Sequence, residues 1–248
     1  MTTPAPGDDP ASRLIFALDV PDGEAARRWV DLLRQEVGLF KVGLQLFAAE
    51  GPRLLERLAR DLPGRIFLDL KFHDIPATVA GAAGLLCDGV RFTTVHCDQG
   101  PKGLRSTVAA IAGRAAVLGV TVLTSAGPED LLAVGIAPEY AADPARLVVL
   151  RAQLAQAAGC QGVVCAAPEA RVVKAACGPD FLVVCPGIRP AGPRQAGDDQ
   201  RRIMSPSQAM RAGADYLVVG RPIRGAADPA AAARSIVADM ARGLASGE

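Results

Sequence analysis

Eight short apolar or β-branched runs alternate along 248 residues with segments whose apolar positions recur at three- and four-residue spacing, and no GxGxxG turn follows the first run. Near-continuous apolar strands separated by amphipathic helices describe a parallel sheet covered by helices. Eight such units in one chain of this length predict an α/β fold of the closed (β/α)8, or TIM, barrel type in a single domain. An open doubly wound sheet is the alternative, and the missing glycine fingerprint counts against its dinucleotide-binding form.

The elements follow in order. Residues 1–12, MTTPAPGDDPAS, lack both a basic n-region and an apolar h-region, so they predict a disordered tail and not a signal peptide. Residues 13–248 then form the barrel. Its strands are expected at Leu14–Val20, Leu39–Leu44, Arg65–Lys71, Phe92–Cys97, Val117–Thr124, Gly162–Ala166, Phe181–Ile188 and Tyr216–Gly220. Between them, Gly23–Glu36 and Gln45–Leu62 read as helical; the second places Leu54, Leu55 and Leu58 on one stripe, with Arg53, Glu56, Arg57 and Arg60 outside it. Gly127–Gly159 is long for one crossover and predicts more than one helix. Arg189–Pro206, rich in Pro, Gly and charge, predicts a long mobile loop after the seventh strand, where barrel loops carry function and act as lids.

Composition narrows the function. The 27 basic and 26 acidic residues leave a formal charge of +1, which argues against a nucleic-acid binder with a broad basic face. Six cysteines without a CxxC pair, and only two histidines, argue against a structural zinc site or a disulfide framework. Buried reduced thiols are the expectation for most of them. No apolar stretch reaches transmembrane length without Gly or charge interruptions, so a soluble cytoplasmic protein with no membrane partner is expected. Of the basic residues only four are lysines: Lys41, Lys71, Lys102 and Lys174. Lysine is the compact cation that can release a proton, whereas arginine is a permanently charged fork, so the few lysines are worth locating.

Charge collects at the C-terminal ends of the first three strands. Asp19 ends the first, Lys41 lies in the second, and the third runs into Asp69-Leu70-Lys71-Phe72-His73-Asp74-Ile75-Pro76. Side chains two apart on a strand share a face, which pairs Asp69 with Lys71 among apolar Ile66, Phe67, Leu68 and Leu70. Buried charges persist only when paired and hydrogen-bonded, so these residues form either a structural ion pair closing the barrel mouth or a reaction centre. At the other end of the chain, Arg189 follows the seventh strand and Gly220-Arg221 the eighth, the two loops from which barrels commonly build phosphate sites. His73 reads as structural, and His96 either lines the pocket or is a satisfied barrel histidine. Lys102 and Lys174 read as solvated surface residues.

DLKFHDIPAT at Asp69–Thr78 strongly resembles the D-x-K-x-x-D-I-P-x-T signature of the orotidine 5'-phosphate decarboxylases. The resemblance covers nearly the whole chain: FALDV at Phe16–Val20, FKVGLQLF at Phe40–Phe47, Leu123-Thr124-Ser125, PGIRP at Pro186–Pro190, DQRR at Asp199–Arg202 and VVGRPI at Val218–Ile223. One departure is VHCDQGPKGL at Val95–Leu104, where the family more often has a His-Ala step before its glycines. It puts the lining after the fourth strand in doubt.

The resemblance implies conversion of orotidine 5'-phosphate to UMP and carbon dioxide, the last step of de novo UMP synthesis, by a homodimer with shared active sites. It implies a catalytic network of Lys41, Asp69, Lys71 and Asp74. In it Lys71 delivers a proton to C6, Asp69 faces the substrate carboxylate, and Lys41 orients Asp69 and meets the ribose. Asp19 would hold a ribose hydroxyl, and Thr124 and Ser125 would meet the base. Gln200, Gly220 and Arg221 would hold the phosphate, with Arg189 anchoring the closing loop. Asp74 and Thr78 would come from the neighbouring subunit. No cofactor motif is visible and no metal is expected, which leaves electrostatic stabilisation of a carbanion that has no adjacent electron sink. Two rival readings are a metal-dependent decarboxylase resembling 3-keto-L-gulonate 6-phosphate decarboxylase, and a silent barrel that binds a phosphorylated ligand.

Overall fold

A computed structural model describes residues 9–190 and 203–246. Among these residues, eight strands form a closed, all-parallel barrel in chain order: β1 (Leu14–Ala17), β2 (Leu39–Gly43), β3 (Ile66–Phe72), β4 (Val90–His96), β5 (Ala116–Val120), β6 (Gly162–Val164), β7 (Leu182–Cys185) and β8 (Tyr216–Val219), with β8 pairing back onto β1. Every expected strand is present, several shorter at their C-terminal ends, because the chain leaves the ladder there to form the mouth. The expected tail boundary at residue 12 falls inside a 3-10 turn over Pro10–Arg13, capped by the Asp9 carboxylate accepting from the Ala11 amide.

Helices cover the outside. They are α1 (Gly23–Leu33), α2 (Leu44–Glu50), α3 (Pro52–Asp61), α4 (Pro76–Gly84), α5 (Gly100–Ile111), α6 (Pro128–Ala133), α7 (Pro138–Ala142), α8 (Pro144–Ala157), α9 (Ala170–Cys177), α10 (Pro206–Arg211), α11 (Arg221–Arg224) and α12 (Pro229–Ala245). Proline starts many of them: it has the helical φ built in and lacks only an N–H that would go unused in the first turn. Gly51-Pro52 divides the expected helix at Gln45–Leu62 into α2 and α3, and Pro128, Pro138 and Pro144 divide the long crossover into α6, α7 and α8. Leu54, Leu55 and Leu58 form the buried stripe of α3, as their spacing predicts.

Strand alternation sorts the core into two parts. One set, with Phe16, Phe40, Leu68 and Val183, packs outward against the helices. The other fills the barrel: Ile15, Ala17, Leu39, Phe67, Phe92, Ala116, Leu118, Val164, Leu182, Val184, Tyr216 and Val218. In a chain with only ten aromatic residues, three plug this interior. Phe67 meets Phe92 edge-on at 5.9 Å, and Phe92 meets Tyr216 at 5.0 Å. Their bulk makes the lower barrel a dry floor, and polar side chains of the same parity lie above it.

Residues 191–202, most of the expected loop after β7, lie outside the described residues, and Gln200 with them. The two ends of that segment meet: Ile188 bridges Met204, and the Arg189 amide donates to the Met204 carbonyl at 3.0 Å. Beyond it, Ser205 and Gln208 form a reciprocal capping box that starts α10. All six cysteines are free. Burial pushes the Cys97 thiol up and that of Cys160 up to about 12, so neither is a nucleophile at neutral pH. No helix among the described residues is long and apolar enough to cross a membrane.

Lys102 is exposed as expected, but Lys174 is not a solvated residue. Its ammonium lies 2.7 Å from Asp215 and donates to the carbonyls of Pro179 and Phe181, and Asp215 also accepts from the Val183 amide. The pair ties α9 to the starts of β7 and β8, contacts far apart in sequence. Burial pushes the Asp215 carboxyl above its ordinary 3.8, and Lys174 offsets that in part. Lys174→Met is expected to cost roughly 3 kcal/mol at pH 7, because it strands a buried carboxylate. A carboxyl raised on folding takes up its proton at a higher pH in the native state, so this deficit shrinks as pH falls from 7 through the raised native value and no longer changes below 3.8. Urea titrations of both proteins at pH 7 and pH 5 read the difference; an equal deficit at both would contradict it.

Candidate active site

The inner-face parity that fills the barrel continues upward into its mouth. On β1, Ile15 and Ala17 lead to Asp19; on β2, Leu39 leads to Lys41; on β3, Phe67 leads to Asp69. On β4, Phe92 leads to Thr94 and then His96. The register places Ala17 beside Lys41 and Gly43 beside Asp69, so these polar groups converge from neighbouring strands. Lys41 Nζ lies 3.0 Å from Asp19 Oδ1 and 3.8 Å from Asp69 Oδ2, and Lys71 Nζ lies 2.7 Å from Asp69 Oδ2. The result is one row of alternating charge: Asp19, Lys41, Asp69, Lys71. Its centre is the least accessible part, with the Lys41 and Asp69 side chains each 11% exposed against 30% for Lys71 and 46% for Asp19.

Two glycines keep room for this row. A Cβ on Gly43 would stand 2.8 Å from Lys41 Nζ, and one on Gly220 would stand 3.3 Å from the Ala17 Cβ and 3.7 Å from Asp19 Oδ2. Gly220 therefore lets the end of β8 close against β1. Arg224, in the short helix that follows, donates from Nη1 to the Asp19 carbonyl and fixes the same seam.

Simple alternation does not account for Lys71. Leu68 pairs with Thr93 and Phe72 with Val95, so β3 carries two extra residues across this stretch of β4. Lys71 takes a left-handed φ of 52°, which costs a non-glycine residue about 1–2 kcal/mol. Asp69 and Lys71 do meet, but the bulge brings them together as much as the two-residue period does. The Thr94 hydroxyl spans the break: it accepts from the Lys71 amide at 2.8 Å and donates to Asp69 Oδ1 at 3.0 Å. Thr94 was not among the expected site residues, although its position two before His96 on the inner face was a signal for it.

The remaining expected residues spread around the mouth. Asp74 and Thr78 are exposed, and Asp74 accepts from its neighbour's amide, at Ile75, with no ion pair among the described residues. Thr124 is buried and Ser125 exposed in the turn after β5. Arg189 follows β7, donating from Nη1 to the Ile188 carbonyl, and Arg221 opens α11 after Gly220.

The turn after β4 builds a second polar cluster. Cys97 is buried, and Asp98 turns into a cluster beside the charged row, 3.3 Å from His73 Nε2, 3.7 Å from His96 Nδ1 and 3.6 Å from Arg151. The two imidazole rings lie 5.2 Å apart. Burial pushes His96 below its ordinary value, against the pull of Asp98. His96 thus stands at the mouth and not in the packed floor. Among the described residues, no group of three or more His, Cys, Asp or Glu side chains is placed to hold a metal ion.

Comparison with known proteins places this geometry in a family. The family model described as Orotidine 5'-phosphate decarboxylase / HUMPS family matches residues 12–236. The chain is 47% identical over 238 residues to the orotidine 5'-phosphate decarboxylase of Moorella thermoacetica, covering 92% of each. It is 48% identical over 232 residues to that of Anaeromyxobacter dehalogenans, covering 93% of this chain and 99% of the other. The crystal structure of orotidine 5'-phosphate decarboxylase from Lactobacillus acidophilus matches with a TM-score of 0.76 at 34% identity, covering 92% of this chain and 98% of that one. A barrel with this charged mouth, matched over more than nine-tenths of its length by such relatives, belongs to the orotidine 5'-phosphate decarboxylase / HUMPS family.

Proposed function

We propose that this chain decarboxylates orotidine 5'-phosphate to UMP and carbon dioxide without a cofactor or metal. The observation that carries the reading is the Asp19–Lys41–Asp69–Lys71 row across the barrel mouth. Its outer lysine is the more accessible of the two, and its inner carboxylate is held between both ammonium groups. In the reaction the C6–carboxylate bond breaks, carbon dioxide leaves, and the electron pair stays on C6. The Lys71 ammonium stabilises that charge and passes a proton to C6; solvent then restores the ammonium. Asp69, facing the departing carboxylate, opposes the ground state more than the transition state, in which that negative charge has moved away. Lys41 holds Asp69 in place and meets the ribose, whose hydroxyl Asp19 accepts.

The other roles are part of the same proposal. Thr124 and Ser125 meet the base. Gln200, Gly220 and Arg221 hold the phosphate, and Arg189 anchors the loop that closes over it, so remote binding energy is used at the reacting carbon. Asp74 and Thr78 serve the site of a partner subunit in a homodimer; their exposure, and the absence of an ion pair from Asp74 to its own row, favour this assignment. Residues 13–248 act as one barrel domain preceded by a 12-residue tail. The protein works in the cytoplasm, which its six free cysteines favour, with no membrane or nucleic-acid partner.

The direct test is to mix purified protein with orotidine 5'-phosphate and follow the ultraviolet change, with and without a chelator. Turnover that the chelator leaves intact is expected; loss of turnover on chelation would favour the metal-dependent reading, and tight UMP binding without turnover the silent one. Lys71→Arg keeps the charge but removes the releasable proton, so it should fold, bind UMP and lose at least about a hundredfold in kcat. Wild-type-like activity in that variant would remove Lys71 from the role of acid. Mixing inactive Asp74→Asn and Lys71→Arg subunits should restore up to about a quarter of wild-type activity, since half the dimers become mixed and each has one intact site. No recovery despite demonstrated subunit exchange would rule out shared sites.

A further inference from the structure

We infer that Thr94 is a positioning residue for decarboxylation, whose hydroxyl holds Asp69 and the Lys71 backbone as one unit. The inference rests on the decarboxylase reading above. Thr94 is fully buried, and the direction of both its hydrogen bonds is fixed by chemistry. An amide N–H can only donate, so at 2.8 Å the Thr94 oxygen must accept from Lys71. Asp69, when ionised, can only accept, so the one hydroxyl proton of Thr94 goes to Asp69 Oδ1 at 3.0 Å. The other Asp69 oxygen holds Lys71 Nζ at 2.7 Å. Lys71 is therefore held at both ends, by its amide through Thr94 and by its ammonium through Asp69.

The location of this relay explains the need for it. Between Leu68 and Phe72 the regular β3–β4 ladder lapses, and Lys71 sits in a left-handed conformation within that gap. The hydroxyl takes over from the missing ladder at the residue that must present the proton. Each hydrogen bond in the relay also polarises the next, so the carboxylate orientation depends on the backbone position and the reverse. The adjacent Thr93 is just as buried, but its hydroxyl has no hydrogen-bond partner among the described residues, which makes it an internal control on the same strand.

Steady-state kinetics on orotidine 5'-phosphate test this with Thr94→Val, Thr94→Ser and Thr93→Val. Thr94→Val keeps the shape and removes the relay; kcat should fall by about tenfold to a hundredfold, the scale expected when a reacting group is displaced by an ångström or less. KM should change by less than about threefold, because the phosphate and base contacts lie elsewhere. Thr94→Ser should restore kcat to within about threefold of wild type, and Thr93→Val should match wild type. The inference is overturned if Thr94→Val retains wild-type kcat, if the serine variant is as impaired as valine, or if Thr93→Val loses kcat equally. Thr94→Ala stands in should the valine variant not fold; if neither folds, the hydroxyl is a folding element and the inference fails. Absence of turnover in the wild-type protein would instead remove the decarboxylase reading.

Discussion

Two lysines and two aspartates set into an apolar barrel mouth have to neutralise one another, and the rest of the site follows from that constraint. A lone charge above the Phe67, Phe92 and Tyr216 floor would carry a large desolvation cost. Alternating signs along Asp19, Lys41, Asp69 and Lys71 remove most of it, since each inner charge has a neighbour of opposite sign on either side. The same arrangement suits the proposed chemistry. In the proposed reaction a second carboxylate arrives beside Asp69, its negative charge passes to C6 as carbon dioxide leaves, and the proton from Lys71 then cancels it.

The barrel meets this constraint with a rule of period two and one departure from it. Inner-face parity brings Asp19, Lys41, Asp69 and Thr94 to a common level from four consecutive strands, each above an apolar residue of the same parity. Strand geometry alone would leave Lys71 in a regular ladder. The two extra residues on β3 and the left-handed turn carry its backbone to where the Thr94 hydroxyl replaces a ladder partner. Strain at this residue is held by groups that the network already contains.

Away from the row, long-range contacts hold the mouth in register. The Arg224 guanidinium reaches across the β8–β1 seam to the Asp19 carbonyl, and Gly220 keeps that seam narrow. The Ile188–Met204 bridge brings both ends of the segment after β7 to one point beside the mouth. Asp98, in the turn after β4, gathers His73, His96 and Arg151 into a second polar cluster next to the first.

Eight apolar runs, the helical spacing between them and the crowding of Asp and Lys at the first three strand ends were legible in the sequence because each is local. Strand period and helix period act over a few residues, so Leu14–Ala17 through Tyr216–Val219 and the stripe of α3 could be read without knowing any partner. Motif order along the chain carried the family in the same way. Beyond the Asp69–Lys71 pair, which the strand period suggested, the tertiary structure decided which charges touch. Lys174 looked solvated because its partner Asp215 is 41 residues away, on the approach to another strand. Thr94 looked like an ordinary strand residue because its value depends on a gap in the neighbouring ladder. Pairing across a closed sheet is set by register and backbone twist between segments far apart in sequence, and no local pattern encodes where that pairing lapses.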